Sequence, residues 1–309
     1  MSGDTPPILV FGATGHQGGS VADALLKAGA SVRALVRDPA SAKATALAER
    51  GVELVRGDMA DPASLRPAMI GARGVFSVQT SSPGGEITDA DEVRYGVSIA
   101  DLAVEAGVRH LVYSSTCSIS GAEGAPTGMG HFDSKRAIEN HVRTLPLTWT
   151  IVRPVTFMDM LTMPGFGLNE GRFSFFPCPD QAMQFIAVED IGKFVAPIFA
   201  DADRFGGQTL EIAGDALTGA QIGEAFSRAA GRPIAYSRFP DALLASNPFL
   251  GGLAALLDAG PLAGHANLDA LRAINPEMQS FDTWLAGSGR DAFERALGVS
   301  GTWQYDRGA

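Results

Sequence analysis

Gly12-Ala13-Thr14-Gly15-His16-Gln17-Gly18-Gly19 follows directly on the apolar run Ile8-Leu9-Val10-Phe11. Glycines at 12, 15 and 18 give a G-x-x-G-x-x-G spacing. Gly12 permits a tight turn, Gly15 lets the backbone approach a pyrophosphate, and Gly18 lets the next helix pack on the strand. The helix N-terminus then offers free N–H groups and the positive end of its dipole to phosphates. Thr14, His16 and Gln17 line the same loop. A glycine triplet alone also fits an ordinary turn. The strand–loop–helix context makes it a dinucleotide site.

The next strand chooses the dinucleotide. An Asp or Glu near its end selects NAD(H) by binding the ribose 2′-hydroxyl. Here the strand ends Leu35-Val36-Arg37-Asp38-Pro39, with Arg37 first. A guanidinium presents paired donors that fit a phosphate, and Arg33 and Lys43 add charge nearby. The reading is NADP(H) over NAD(H). In the alternative, Arg37 is a solvated charge and Asp38 holds the ribose. Asp58, beside Met59, is placed to accept from the adenine amino group or to cap the next helix. Gln79 and Thr80 end the fourth strand, where the cofactor ribose runs or a simple turn forms.

The elements that must hold these residues alternate. Short apolar runs predict strands at Ile8–Phe11, Val32–Val36, Val52–Val55, Val75–Val78, His110–Tyr113 and Trp149–Val152. Helices are predicted at Gly18–Ala28, Ser41–Arg50, Pro62–Ile70, Asp89–Ala106 and His131–Thr144. Fully apolar strands between helices imply an α/β protein with a doubly wound parallel sheet. Residues 1–153 read as the dinucleotide-binding domain and 154–309 as a smaller, mostly helical substrate lobe. Segments near 186–214 are expected to return to the main sheet. Strands are predicted at Ile186–Val188 and Thr209–Ile212, and helices at Asp190–Ala200 and Thr218–Ala230, with Thr218 as an N-cap. Residues Ala242–Leu271 are apolar and helix-prone.

Composition removes several classes. The chain has 309 residues, 46% hydrophobic and 19% charged, which is a globular composition. Its 34 acidic against 24 basic residues give a formal charge of -10, with no basic run to hold nucleic acid or a membrane surface. The start lacks a positive n-region and no stretch is apolar enough to span a bilayer, so a cytoplasmic protein is expected. Cys117 and Cys178 are expected as reduced thiols, since two cysteines build no disulfide framework and have no C-x-x-C spacing. His16, His110, His131, His141 and His265 show no metal-ligand spacing. Ser114-Ser115 lacks the G-x-S-x-G elbow of a hydrolase.

The glycine loop, Val32–Pro39 and Gly51-Val52-Glu53-Leu54-Val55-Arg56-Gly57-Asp58 together resemble the NmrA-like group of atypical short-chain dehydrogenases. His131-Phe132-Asp133-Ser134-Lys135 and Phe185-Ile186-Ala187-Val188-Glu189-Asp190-Ile191-Gly192 are similar to that group as well. The resemblance covers roughly the first 215 residues, the remainder lying where substrate elements vary. It implies a Rossmann domain, a small C-terminal substrate domain, and one of two functional types. Some members are NADPH-dependent reductases of quinones, phenylpropanoid ethers, dyes or similar aromatics. Others bind NADP(H) without known catalysis and act as redox-sensing regulators through protein contacts.

Ordinary short-chain dehydrogenases use Tyr-x-x-x-Lys on a helix and a hydroxyl from the fifth strand. There Lys holds the nicotinamide ribose and lowers the Tyr pKa, so the phenol can exchange the reacting proton. By that resemblance Lys135 fills the Lys position, His131 the Tyr position, and Thr116 the hydroxyl position. With Tyr absent, the proton donor is His131, Lys135, or a water or the substrate itself. His131 also reads as a helix-start residue without chemistry.

Pro154, Thr156 and Phe157 follow the sixth strand, where the backbone faces the nicotinamide amide. The Phe- and Met-rich stretch after them offers Phe157, Met158, Phe166 and Phe176 as an aromatic pocket, or as packing between the lobes. Asp159 reads as a cap rather than an acid, and Trp284 and Trp303 as anchors of C-terminal helices. The expected activity is NADPH-dependent hydride transfer to a small hydrophobic or aromatic acceptor: a quinone, enone, ketone or benzylic ether. The alternatives are a non-catalytic NADP(H) sensor and a hydride-shuttling isomerase or lyase. A homodimer or a regulatory protein partner stays open.

Overall fold

In β1 (Ile8–Val10) every residue is fully buried, because parallel neighbours flank it on both sides. Ile8 pairs with Val32 on one side and with Gly74 on the other. Alternate side chains leave opposite faces. Ile8 and Val10 enter one apolar cluster and Leu9 the other, so the strand glues two helical layers at once.

The computed structural model describes residues 5–80, 86–117 and 127–298. After β1 come α1 (His16–Lys27), β2 (Val32–Val36), α2 (Ala42–Glu49), β3 (Glu53–Arg56), α3 (Pro62–Met69), β4 (Gly74–Ser77), α4 (Asp89–Glu105), β5 (His110–Ser114), α5 (Gly130–Val142) and β6 (Thr148–Pro154). The chain then leaves the sheet through β7 (Thr156–Phe157), β8 (Arg172–Phe175) and β9 (Ala182–Ile186). It returns with α6 (Val188–Ala200), α7 (Ala202–Phe205) and β10 (Gln208–Ile212). The remainder is β11 (Asp215–Thr218), α8 (Gly219–Ala230), β12 (Ala235–Arg238), α9 (Asp241–Ser246), α10 (Pro248–Asp258), α11 (Leu268–Arg272), α12 (Phe281–Ala286) and α13 (Arg290–Gly298).

The main sheet has seven strands in the order β10-β6-β5-β4-β1-β2-β3, all parallel, as the alternating pattern predicts. Strand order reverses between β1 and β4, and ligands bind at such a switch point, beyond the carboxyl ends of the strands. On one face α1 crosses α6 closely. A Cβ on Gly192 would lie 2.1 Å from the Ser20 carbonyl oxygen, and Gly192 N–H donates to Ser20 Oγ at 3.0 Å. On the other face α3, α4 and α5 cover Leu9, Leu111, Tyr113 and Ile151.

The lobe is largely helical, as its sequence suggests, but differs in detail. Two small sheets, β11-β9-β7 and β12-β8, underlie the short helices. The strand expected at Ile186–Val188 lies earlier, at Ala182–Ile186, and Val188 already begins α6. Phe185 to Val188 is continuously apolar, so periodicity cannot mark the boundary. What marks it is Asp159 Oδ2, which accepts from Val188 N–H at 3.2 Å from a distant segment. The apolar stretch Ala242–Leu271 breaks into α9, α10 and α11. Asn247 stops α9 and caps α10, with its Oδ1 accepting from Phe249 and Leu250 N–H and Pro248 at the first helical position. Thr218 caps α8 in a reciprocal box with Gln221. Trp284 is 1% exposed and stacks on Phe281, while Trp303 lies outside the described residues. No helix among the described residues is long and apolar enough to cross a membrane.

Candidate active site

The glycine loop turns with Gly12 at φ +66°, and Gly15 N–H donates to the Gly12 carbonyl at 2.9 Å. A Cβ on Gly18 would sit 2.2 Å from the Gly12 carbonyl oxygen, a backbone atom that cannot step aside. That contact lets α1 start hard against β1. No side chain caps α1, and its i→i−4 ladder opens with Gly19 N–H to the Gly15 carbonyl. The N–H groups of His16, Gln17 and Gly18 therefore precede the ladder at the positive end of the helix. The cradle fits a pyrophosphate. Thr14 is half-buried and His16 exposed at its rim. Gln17 is partly committed elsewhere: its Oε1 accepts from Ser114 Oγ at 2.8 Å, tying α1 to the end of β5.

At the end of β2, Arg37 is exposed and carries no described ion pair or hydrogen bond, and the same holds for Lys43. Arg33 is not available. It pairs with Glu53 at 2.9 Å and donates to the carbonyls of Ala68 and Ile70. Asp38 is occupied as a turn residue, with Oδ1 accepting from Ala40 N–H at 3.0 Å and its carbonyl from Ser41 Oγ at 2.8 Å. Arg56, which sequence reasoning passed over, ends the adjacent strand β3, exposed and likewise without a described partner. Asp58 Oδ1 accepts from Ala60 N–H at 2.9 Å, and the cap of α3 is Asp61 instead. Met59 packs half-buried beside it.

At the end of β4 the Gln79 side chain is 1% exposed and donates to Ser77 Oγ at 2.7 Å, so it faces inward, whereas Thr80 is exposed. The Gln79 carbonyl meets α5. It accepts from Lys135 Nζ at 2.8 Å, and the same ammonium lies 2.6 Å from Glu92 Oε1. Both side chains are sealed, at 8% and 0% exposure. Four residues along α5, Glu139 is buried and holds Arg153 through two bonds, 2.8 and 2.6 Å, and Arg143 at 2.8 Å. These guanidiniums and Ser115 outweigh its burial and keep its carboxyl below the usual range.

His131 is half-buried one turn before Lys135, with its ring 3.8 Å from Phe132 and 5.8 Å from Phe249 of α10. Burial, and beyond it the Lys135 charge, push its pKa down to about 4. The imidazole is neutral at pH 7 and a poor reservoir of protons. Thr116 follows β5 half-buried, with Oγ1 3.9 Å from the Cys117 sulfur.

Pro154 ends β6 and is buried, while Thr156 and Phe157 form β7 half-exposed. The other residues of the expected aromatic pocket are core. Met158 is 0%, Phe166 2% and Phe176 6% exposed. Phe166 packs edge-on against Phe173 and Phe175, and Phe176 against Phe239, within the main apolar cluster. Asp159 acts as the cap of α6. Burial raises its pKa, opposed by the Val188 N–H. No group of three metal-ligating side chains occurs among the described residues.

Glu92 and Glu139 are the site residues that motif reading missed. Their signal is position. Glu92 shares the buried face of α4 with Gly96, Ile99 and Ala103, and Glu139 that of α5 with Phe132 and Lys135. A carboxylate on an apolar stripe needs a partner.

A parallel sheet with a glycine cradle at its switch point, flanked by cations that have no partner among the described residues, defines a Rossmann-type dinucleotide-binding protein. Sequence comparison is specific. The NmrA-like family profile matches residues 4–274, and the chain belongs to that family. It is 31% identical over 256 residues to the NmrA-like oxidoreductase malD of Malbranchea aurantiaca, covering 75% of each chain. It is 32% identical over 230 residues to an NAD(P)H azoreductase of Xenophilus azovorans, covering 74% of this chain and 76% of the other. Among solved structures, the negative transcriptional regulator NmrA in complex with NAD superposes with a TM-score of 0.79 at 22% identity, over 96% of this chain and 99% of that one. The triphenylmethane reductase of Citrobacter sp. complexed with NADP(H) gives 0.73 at 21% identity, over 94% and 100%. At such identities the superpositions speak for the fold.

Proposed function

We propose that this protein is an NADPH-dependent reductase of a hydrophobic, aromatic acceptor. The observation that carries the reading is the buried Lys135 ammonium at the end of β4, beside the switch point where the glycine cradle opens. The azoreductase relative supports the reaction class. The cradle would take the pyrophosphate, and Arg37 with Lys43 the 2′-phosphate, which favours NADP(H) over NAD(H). When bound, the nicotinamide supplies the hydride. The chain's own part is to orient the cofactor through Lys135, Thr116 and the segment Pro154–Phe157, and to keep water from the crevice.

His131 serves as wall rather than acid in this reading: its neutral ring joins Phe249 in an aromatic face above the start of α5. The proton then comes from water or from the acceptor. A second reading, a non-catalytic NADP(H) sensor, is favoured by the same fact, because neither His131 nor the ion-paired Lys135 is a free proton donor.

Rapid-mixing absorbance of bound NADPH separates the two. The panel is quinones, azo dyes, enones, aryl ketones and benzylic ethers, with Lys135→Ala alongside. Oxidation by one acceptor class, lost in Lys135→Ala, establishes the reductase. Tight NADPH binding with no oxidation by any acceptor establishes the sensor.

A further inference from the structure

We propose that Glu92 is the positioning residue of this site, fixing the Lys135 ammonium as a permanent, directed charge on which cofactor binding depends. The inference rests on the dinucleotide reading above and goes beyond it, since Glu92 lies on α4, outside every loop of the cradle.

Glu92 sits at the first turn of α4, whose start is locked by Thr88 and Asp91 in a reciprocal box, with Glu92 N–H donating to the Thr88 carbonyl at 2.9 Å. From there the carboxylate reaches Lys135 at 2.6 Å, and Lys135 reaches the Gln79 carbonyl at 2.8 Å. One ammonium thus joins α4, α5 and the end of β4. An ion pair this deep adds little net stability over apolar residues of the same volume, yet removing one partner strands a buried charge. What the pair adds is a fixed position and a fixed sign. A lysine on a flexible stem would otherwise sample many rotamers.

Among the described residues, four titratable groups bear on the pair or on His131 beside it. His131 on α5 feels both Lys135 and Glu92 and stays neutral at pH 7. Asp89 on α4 and Asp133 on α5 act on His131 more weakly. Tyr113 on β5 is buried beneath, its hydroxyl driven well above the usual phenol range by burial and then by Glu92 and Glu139. His131 and Tyr113 each keep one protonation state between pH 7 and pH 9, and Glu92 is the carboxylate in direct contact with the ammonium.

The test is NADPH affinity by cofactor fluorescence, together with the melting temperature, for the full-length wild type, Glu92→Gln, Lys135→Met and the double variant, near pH 7 and near pH 9. Glu92→Gln is expected to weaken NADPH binding about tenfold near pH 7 and more near pH 9, because a buried amine without its counter-charge sheds its proton. The wild type changes little. The double variant regains melting temperature but not affinity, since two neutral side chains restore packing without charge. Wild-type affinity with a flat pH response in Glu92→Gln overturns the proposal, and so does a double variant that regains both properties. Where Glu92→Gln does not fold, the double variant decides alone. Failure of both to fold assigns the pair to the fold and overturns the proposal. A wild type that binds NADPH but reduces no acceptor refutes the reductase reading, while affinity and its pH response still judge Glu92.

Discussion

The Ser114 hydroxyl donates to Gln17 Oε1 at 2.8 Å, and this bond joins the first turn of α1 to the carboxyl end of β5. The phosphate cradle and the strand that leads to Thr116 are therefore one mechanical unit. Ser114 is fully buried, so its loss leaves the Gln17 carbonyl oxygen short of a donor. Gln17 itself is half-buried, so Ser114→Ala is expected to cost about 0.5–1.5 kcal/mol in urea unfolding, the net worth of one hydrogen bond whose acceptor can turn to water. Gln17→Leu alone strands the buried Ser114 hydroxyl, and is expected to cost less in the Ser114→Ala background, where no hydroxyl is left unpaired.

Gly18→Ala tests the cradle. The new methyl meets the Gly12 carbonyl oxygen at 2.2 Å, and neither backbone can retreat without opening the α1–β1 contact. NADPH binding should be lost in fluorescence titration, with a stability loss of about 1–3 kcal/mol or more. Gly29→Ala offers the contrast, because its Cβ meets nothing within 4 Å and its cost is that of a left-handed residue alone.

Arg37 tests the choice of cofactor. Arg37→Ala is expected to raise the NADPH dissociation constant about 10- to 100-fold, the worth of a charge-assisted bond, and to leave NADH unchanged. Equal loss for both cofactors would place Arg37 on something other than the 2′-phosphate.

His131 gives a pH prediction with a definite sign. Its folded pKa, about 4, lies below the ordinary imidazole value of 6.5. The unfolded chain then binds more protons between those values, so stability falls as pH drops from about 6.5 toward 4. The loss assigned to His131 should reach about 2–3 kcal/mol at the acid end. His110, also held at about 4 by burial and then by Arg73, adds a parallel loss. His131→Phe should therefore reduce the acid slope of denaturant midpoints without abolishing it. The rate of NADPH oxidation near neutrality should show no step from this residue.

Local chemistry made the cofactor half legible. The glycine spacing, Arg37 after β2 and the apolar strands each stand on neighbours in sequence, and the strands and the strand–loop–helix turn form where that spacing predicts them. The rest depends on distant contacts. The start of α6 is written by Asp159, not by Ala187 or Val188. The Lys135 environment is written by Glu92, which has no motif. The lobe's aromatic residues read equally as pocket or core, because a phenylalanine looks the same on either side of a sheet; Phe166 and Phe176 are buried against rings of β8 and Phe239.

The sheet's last strand has a consequence for synthesis. β10 docks on β6 only after β7, β8, β9 and α6 have been made. Until then β6 is an open edge, with a ladder of unpaired N–H and carbonyl groups on the growing chain. The first half of the molecule leaves the ribosome with that edge uncovered until the second half supplies β10. A fragment ending at residue 153 should aggregate rather than behave as a small cofactor-binding unit, and one ending after Ile212 should aggregate too, because β8 and β9 then lack β12 and β11.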